Sequence, residues 1–170
     1  MPVPAAVKKA VQAKYPRLPG KKRLAVFIGN AKKLHSRWPV EKFAALTDML
    51  LHTHADLEIY IVHGRAEVPL LAHFKAQDRL RMFSAGLMET AAFFMSCDAL
   101  LTSSSGPWHI AAAVGTPTLS VVCRYNYDNW RPLEGRHYFA LPDNDSKDVR
   151  TVDIERVRQM VEDFFMEAGG

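Results

Sequence analysis

At 170 residues, with 48% apolar and 24% charged residues, the chain is long enough for one well-filled core, short for two, and close in composition to ordinary soluble domains. That composition excludes disordered, collagen-like and fibrous character, and no apolar run approaches the roughly 20 residues that cross a bilayer. The net charge of +4 is modest and comes with no nucleic-acid recognition module, although its basic clusters suit an anionic substrate or a membrane surface. Cys97 and Cys123 lack CxxC spacing and Met1 opens no secretory pattern, so both read as reduced thiols in a cytoplasmic protein.

Residues 1–22 combine a short helical stretch, Ala5 to Tyr15, with Pro2, Pro4, Pro16, Pro19 and Gly20, and read as a linker or lead-in segment; 23–170 reads as one domain. Leu24 to Ile28 is apolar throughout, as in a strand covered on both faces. The loop after it, Gly29 to Arg37, delivers Lys32, Lys33 and Arg37 beyond the strand's carboxyl end, where open parallel sheets place their ligands; a solvated loop is the alternative. Pro39 suits the first turn of a helix in which Phe43, Leu46, Met49 and Leu50 repeat at helical spacing.

Leu57 to Val62 reads as the second strand, ending at His63-Gly64 with Glu67 close behind. A helix over 66–76, a short strand over 79–83 and a helix over 87–97 follow, then a fourth strand, Asp98 to Thr102. That strand stops at Ser103-Ser104-Ser105-Gly106-Pro107, and a small-residue helix, Trp108 to Val114, runs on to Gly115. A strand over 118–122, a polar and aromatic loop over 124–132, a strand over 137–141 and a helix over 152–165 capped by Thr151 or Asp153 complete the chain. Strands alternating with helices predict an α/β fold: a single Rossmann-like, doubly wound parallel sheet.

The serine turn carries the chemistry. The first N–H groups of a helix lack internal acceptors and sit at the positive end of its dipole, so they bind anions such as phosphate, and neighbouring serines add donors. Simple capping by Ser104 or Ser105 is the alternative. His109, one turn past Ser105, either reaches the phosphate side or satisfies a backbone carbonyl; Trp108 and Trp130 both read first as packing residues, with Trp130 the better candidate of the two for lining a base or sugar pocket. Neither GxGxxG, nor a P-loop, nor a G-x-S-x-G elbow is present. His52 and His54, at i and i+2, do not share a helix face, so no metal site is expected.

In order along the chain, Arg37-Trp-Pro-Val-Glu-Lys-Phe-Ala-Ala-Leu46, His63-Gly64 with Glu67, Thr102-Ser-Ser-Ser-Gly-Pro-Trp-His-Ile-Ala-Ala-Ala-Val-Gly-Thr-Pro117 and Trp130-Arg-Pro132 resemble the motifs of the heptosyltransferase family, GT-B glycosyltransferases that use ADP-heptose in building the lipopolysaccharide core. The resemblance covers 24–165 and implies the C-terminal, donor-binding half of such an enzyme. It implies two Rossmann-like domains facing across a cleft, with the N-terminal acceptor-binding domain, and the general base it carries, absent from this chain.

By the same resemblance Ser104, Ser105, Gly106 and His109 form the phosphate side of the site, and Glu67, beside Gly64, contacts the ribose or base. Ser36 and Ser104 stand where relatives commonly carry lysine and aspartate, so the cation falls to Arg37, Lys33 or Lys32. What this implies is transfer of a heptose-like glycosyl group from a nucleoside diphosphate sugar, an ADP-sugar first among candidates, to lipopolysaccharide or a related glycan. No cofactor, metal or nucleic acid enters; the enzyme would be cytoplasmic or peripheral at the inner membrane, meeting a lipid-linked acceptor. The alternative is a non-catalytic nucleotide-binding or interaction module derived from a half-transferase.

Overall fold

The computed structural model describes residues 1–29 and 34–167. Six strands, Lys22–Phe27 (β1), Leu57–Val62 (β2), Leu80–Phe83 (β3), Ala99–Ser103 (β4), Thr118–Val121 (β5) and His137–Ala140 (β6), form one sheet in the order β3-β2-β1-β4-β5-β6. Every neighbouring pair is parallel. The central strands are buried on both faces, which is why they read as continuous apolar runs rather than alternating ones.

Among the described residues six α-helices accompany them: Ala5–Lys14 (α1), Val40–Thr53 (α2), Leu87–Phe94 (α3), Gly106–Ala113 (α4), Arg124–Trp130 (α5) and Ile154–Glu167 (α6). One core layer joins the sheet to α2 and α6 through Phe43, Leu46, Leu50, Val157, Val161 and Phe164. The opposite layer joins it to α1, α3 and α4 through Val11, Ala91, Phe93, Phe94 and Ala111. Val3 and Val11 are buried there, so the first 22 residues include a helix docked on the sheet face.

Boundaries follow local chemistry. Pro39 precedes α2 with no N–H to lose, and the Asp153 carboxylate accepts from the Arg156 amide at 2.8 Å to cap α6. α4 ends where Gly115 takes φ +80, with the Thr116 amide on the Ala111 carbonyl and the Gly115 amide on that of Ala112, the glycine-terminated Schellman arrangement.

Two expectations need correction. The helix over 66–76 is a 3-10 helix, Arg65–His73, with Pro69 inside it, where a proline denies the α ladder a donor. The loop over 124–132 contains α5, a short helix that buries only Asn126 and so leaves no apolar periodicity to read.

Candidate functional site at the switch point of the sheet

With this strand order the connections leaving β1 and β4 turn to opposite faces of the sheet, opening a crevice beyond their carboxyl ends, the position at which such sheets bind ligands. Phe27 of β1 is level with Thr102 of β4 and Val62 of β2, so Gly29, Ser103 to Gly106 and His63-Gly64 emerge side by side.

The four hydroxyl residues at the end of β4 have separate jobs. Thr102 and Ser103 are fully buried. The Ser103 hydroxyl accepts the Trp38 amide at 3.0 Å, while the Trp38 indole N–H donates to the Val152 carbonyl at 2.8 Å. That pair ties the loop after β1 to the serine turn and brings Arg37 beside it. Thr102 donates its proton to the Ser103 carbonyl, so its oxygen, 2.9 Å from the Ser105 hydroxyl, accepts from Ser105. Ser104 is half-buried.

Ser105 occupies the N-cap position of α4 but its side chain makes no cap bond, so capping by Ser105 is not adopted. The Ser105 side chain therefore satisfies none of the first-turn backbone N–H groups, and Pro107 has none to satisfy. A β-carbon added at Gly106 would meet nothing within 4 Å, so the approach is open.

His109 is exposed, and its ring stands 5.5 Å from that of Trp108. It makes no hydrogen bond with another described residue, so the carbonyl-satisfying role is not adopted. Trp108 is the packing residue expected: it is fully buried, and its indole N–H donates to Thr118, whose hydroxyl reaches His137 Nδ1 at 2.7 Å.

Glu67 and Gly64 come together beside β1. The Gly64 amide donates to Glu67 Oε2 at 2.8 Å, and the Glu67 amide to the Gly64 carbonyl, a reciprocal cap that holds the carboxylate at 7% exposure. That carboxylate lies against Gly29: a β-carbon there would be 2.5 Å from Glu67 Oε1 and 2.6 Å from Phe27 Cζ. Glu67, Gly64 and Gly29 thus stand together at the carboxyl ends of β1 and β2, with Ser105 and Gly106 at that of the neighbouring β4. Arg37 is half-buried, with no hydrogen bond or ion pair to another described residue. Lys33 and Lys32 lie outside the described residues.

Sequence reasoning passed over the Ser103–Trp38 tether and the closeness of Gly29 to Glu67, both of which join positions remote in sequence. Trp130, expected first as a packing residue, is instead 55% exposed at the end of α5. The Cys97 thiol is pushed well up by burial, which removes it as a nucleophile. A cavity of about 390 Å³ lined by Leu50, His54, Leu57, Val161 and Phe165 lies at the amino-terminal end of β2, remote from every residue above. Among the described residues, no cluster of three or more His, Cys, Asp or Glu is arranged to hold a metal ion, and no helix is long and apolar enough to cross a membrane.

The model of a family described as "Glycosyltransferase family 9 (heptosyltransferase)" matches residues 4–158. No curated protein matches. Among solved structures, Escherichia coli ADP-heptose lps heptosyltransferase II is similar at 16% identity and a TM-score of 0.82, over 100% of this chain and 54% of that one. A glycosyltransferase family 9 protein from Veillonella parvula is similar at 16% identity and 0.83, over 98% and 53%. E. coli heptosyltransferase WaaC with ADP-2-deoxy-2-fluoro heptose is similar at 15% identity and 0.70, over 93% and 48%. The chain therefore spans about half the length of these proteins, and the shared fold is the Rossmann-like α/β fold of GT-B glycosyltransferases.

Proposed function

Because the chain belongs to glycosyltransferase family 9, the heptosyltransferases, we propose that it is the donor-binding domain of a glycosyltransferase, moving a heptose-like group from a nucleoside diphosphate sugar to a lipopolysaccharide-type glycan. The observation that carries this reading is the uncapped N-terminus of α4 at the switch point, with open space over Gly106 and the Glu67 carboxylate on the neighbouring wall. The diphosphate lies on the first-turn N–H groups of α4, with Arg37 a candidate cation. The nucleoside extends toward Gly29 and Glu67, whose carboxylate accepts from ribose hydroxyls. An adenine nucleotide is the first choice, since a solved relative holds an ADP-sugar.

In the transfer, the bond between the anomeric carbon and the diphosphate oxygen breaks and its electron pair stays on the diphosphate. The new bond forms to an acceptor hydroxyl, whose proton leaves to a base outside these residues. This domain's share is leaving-group stabilisation by donors fixed before the reaction, often a large catalytic contribution. The acceptor is held by a second domain, at the cytoplasmic face of a membrane when it is lipid-linked.

Calorimetry with ADP and ADP-heptose tests the binding claim: saturable heat with both is expected, and no heat with either at millimolar concentration overturns it for adenine donors. The module that binds without transferring is separated by assay. Glycosyl transfer on supplying an acceptor-binding domain supports the enzyme, whereas binding with no transfer leaves the module.

A further inference from the structure

The two edges of the sheet are finished differently. At β3 the Leu80 amide is turned onto the Gln77 carbonyl at 3.1 Å, so its own loop closes part of that edge. At β6 the Thr118 amide donates to the Arg136 carbonyl and the Val122 amide to that of Ala140, both at 3.1 Å. Backbone groups alternate in direction along a strand, so Arg136, Tyr138 and Ala140 turn to β5, while the N–H and C=O groups of His137 and Phe139 point away from the sheet. None of these outward groups bonds another described residue. An unpaired edge is a template for pairing with another chain, and sequences commonly blunt it with lysine or proline. The run His137-Tyr138-Phe139-Ala140 contains neither.

Beside that edge is a groove of about 620 Å³ between β6 and α6, whose lining includes Tyr138, Phe139, Ala140, Asp153, Met160 and Asp163. Its charge depends on which of its ionised groups are already neutralised. Glu155 pairs with Arg158, Glu167 lies 3.8 Å from Arg136, and Arg156 is held by Asp143 at 2.8 Å. Asp153 and Asp163 have no cation among the described residues: the first accepts from the Arg156 backbone amide and the second from the Gln159 side-chain amide. The groove is therefore acidic at two points, with the half-buried Met160 between them along α6.

Edge and groove together specify an occupant. Along the axis of α6 the two carboxylates stand about 15 Å apart, at a rise of roughly 1.5 Å per residue. In an extended chain the side chains on one face recur every second residue, so two that are four residues apart span about 13 Å. We infer that the β6 edge and this groove receive an extended basic segment of a partner protein, added to the six-stranded sheet as one more strand. Its backbone pairs with His137 and Phe139. On the face toward α6, two basic residues four apart reach Asp153 and Asp163, with an apolar residue midway over Met160 and Ala140. Main-chain pairing supplies affinity and the alternate side chains supply specificity. Neither the serine turn nor a nucleotide takes part.

The probe is a capped synthetic peptide in which lysine, valine and lysine alternate with threonine. Its controls replace the lysines by glutamates, or carry N-methyl groups on the backbone either at the lysines and valine or at the threonines. Calorimetry measures binding, and amide hydrogen exchange followed by NMR reads β6. Saturable binding of the lysine peptide is expected, with none by the glutamate peptide, and one of the two N-methylated peptides fails because its edge-facing donors are blocked. The His137 and Phe139 amides should exchange at least about tenfold more slowly in the complex, with Tyr138 and Ala140 unchanged. Asp163 is partly exposed and bonds only Gln159, so Asp163→Lys should keep the fold while weakening binding roughly 3- to 10-fold. No binding at millimolar peptide, binding that leaves those two amides unprotected, or an affinity indifferent to the lysines, to N-methylation and to Asp163→Lys overturns the proposal. Protection of both amides in the chain alone also overturns it: a second copy covers the edge if the protection depends on concentration, and the chain itself if it does not.

Discussion

The closeness of Gly29 to Glu67 gives a prediction whose size comes from the geometry. In Gly29→Ala the new β-carbon would lie 2.5 Å from Glu67 Oε1, 2.8 Å from its Cδ and 2.6 Å from Phe27 Cζ, all inside any tolerable contact. Glu67 cannot swing away freely: it is buried, and its other oxygen holds the Gly64 amide at 2.8 Å. Overpacking of this kind costs about 1–3 kcal/mol, and the lost cap adds about 1 kcal/mol. The expected loss is therefore about 3 kcal/mol, a fall in Tm of roughly 10 °C for a chain of this size. Urea denaturation of wild type, Gly29→Ala, Glu67→Ala and the double variant measures it. With the carboxylate gone only the Phe27 clash remains, so the glycine substitution should cost at least about 1 kcal/mol less in the Glu67→Ala background. A Gly29→Ala cost under about 0.5 kcal/mol, or strict additivity, refutes the reasoning.

Gly106→Ala separates binding from folding: its β-carbon meets open space, so stability should hold within about 0.5 kcal/mol while calorimetry reads at least a tenfold loss of ADP affinity, if a diphosphate lies on that backbone. At the amino end of the sheet Arg23 and Glu58 form a buried ion pair at 2.6 Å, with side chains 1% and 0% exposed; Arg23→Met should cost about 3–5 kcal/mol in urea denaturation, and Arg23→Met with Glu58→Leu clearly less. Hydrogen bonds from Arg150 hold the Asp148 carboxyl at about 2 against an ordinary 3.8, so its stabilising contribution is complete above about pH 4 and is lost as pH falls through 2. Asp148→Asn should accordingly destabilise by no more than about 1 kcal/mol at pH 7, exposure screening the pair, and by nothing near pH 2; equal effects at both pH values would contradict the assignment.

Strands were the most legible part of the sequence because burial on both faces leaves an uninterrupted apolar run. Leu57 to Val62 is observed as expected, and Leu24 to Ile28 and Asp98 to Thr102 differ from β1 and β4 only at their ends. The helix stop at Gly115 was legible for a different reason, since a glycine after a run of alanines is a local signal with a local cause. Where an element is held by something other than an apolar stripe, the sequence was mute. Ser36 sits in a polar loop and nothing local marks it as buried; it is buried because Trp38, two residues on, is fixed between Ser103 and Val152. The motifs of the site were readable because they are contiguous, but how Gly29 meets Glu67, or how Trp38 meets Ser103, depends on strand order. No spacing along the chain encodes that order.

The serine run also shows why the count of hydroxyls at a candidate phosphate site misleads. Of the four consecutive residues from Thr102 to Ser105, Ser103 accepts from the Trp38 amide, Thr102 donates to the Ser103 carbonyl, and the Ser105 proton is directed to the Thr102 oxygen. These hydroxyls build the turn rather than reach out from it. They tie the end of β4 to the loop after β1 and leave the first turn of α4 without a cap bond from the Ser105 side chain. Removal of the Ser105 hydroxyl therefore bears on how well the turn is positioned, whereas a methyl group at Gly106 bears on whether an anion can approach at all. On the proposed reading the backbone would bind the anion, and the serines would act by keeping it in that geometry.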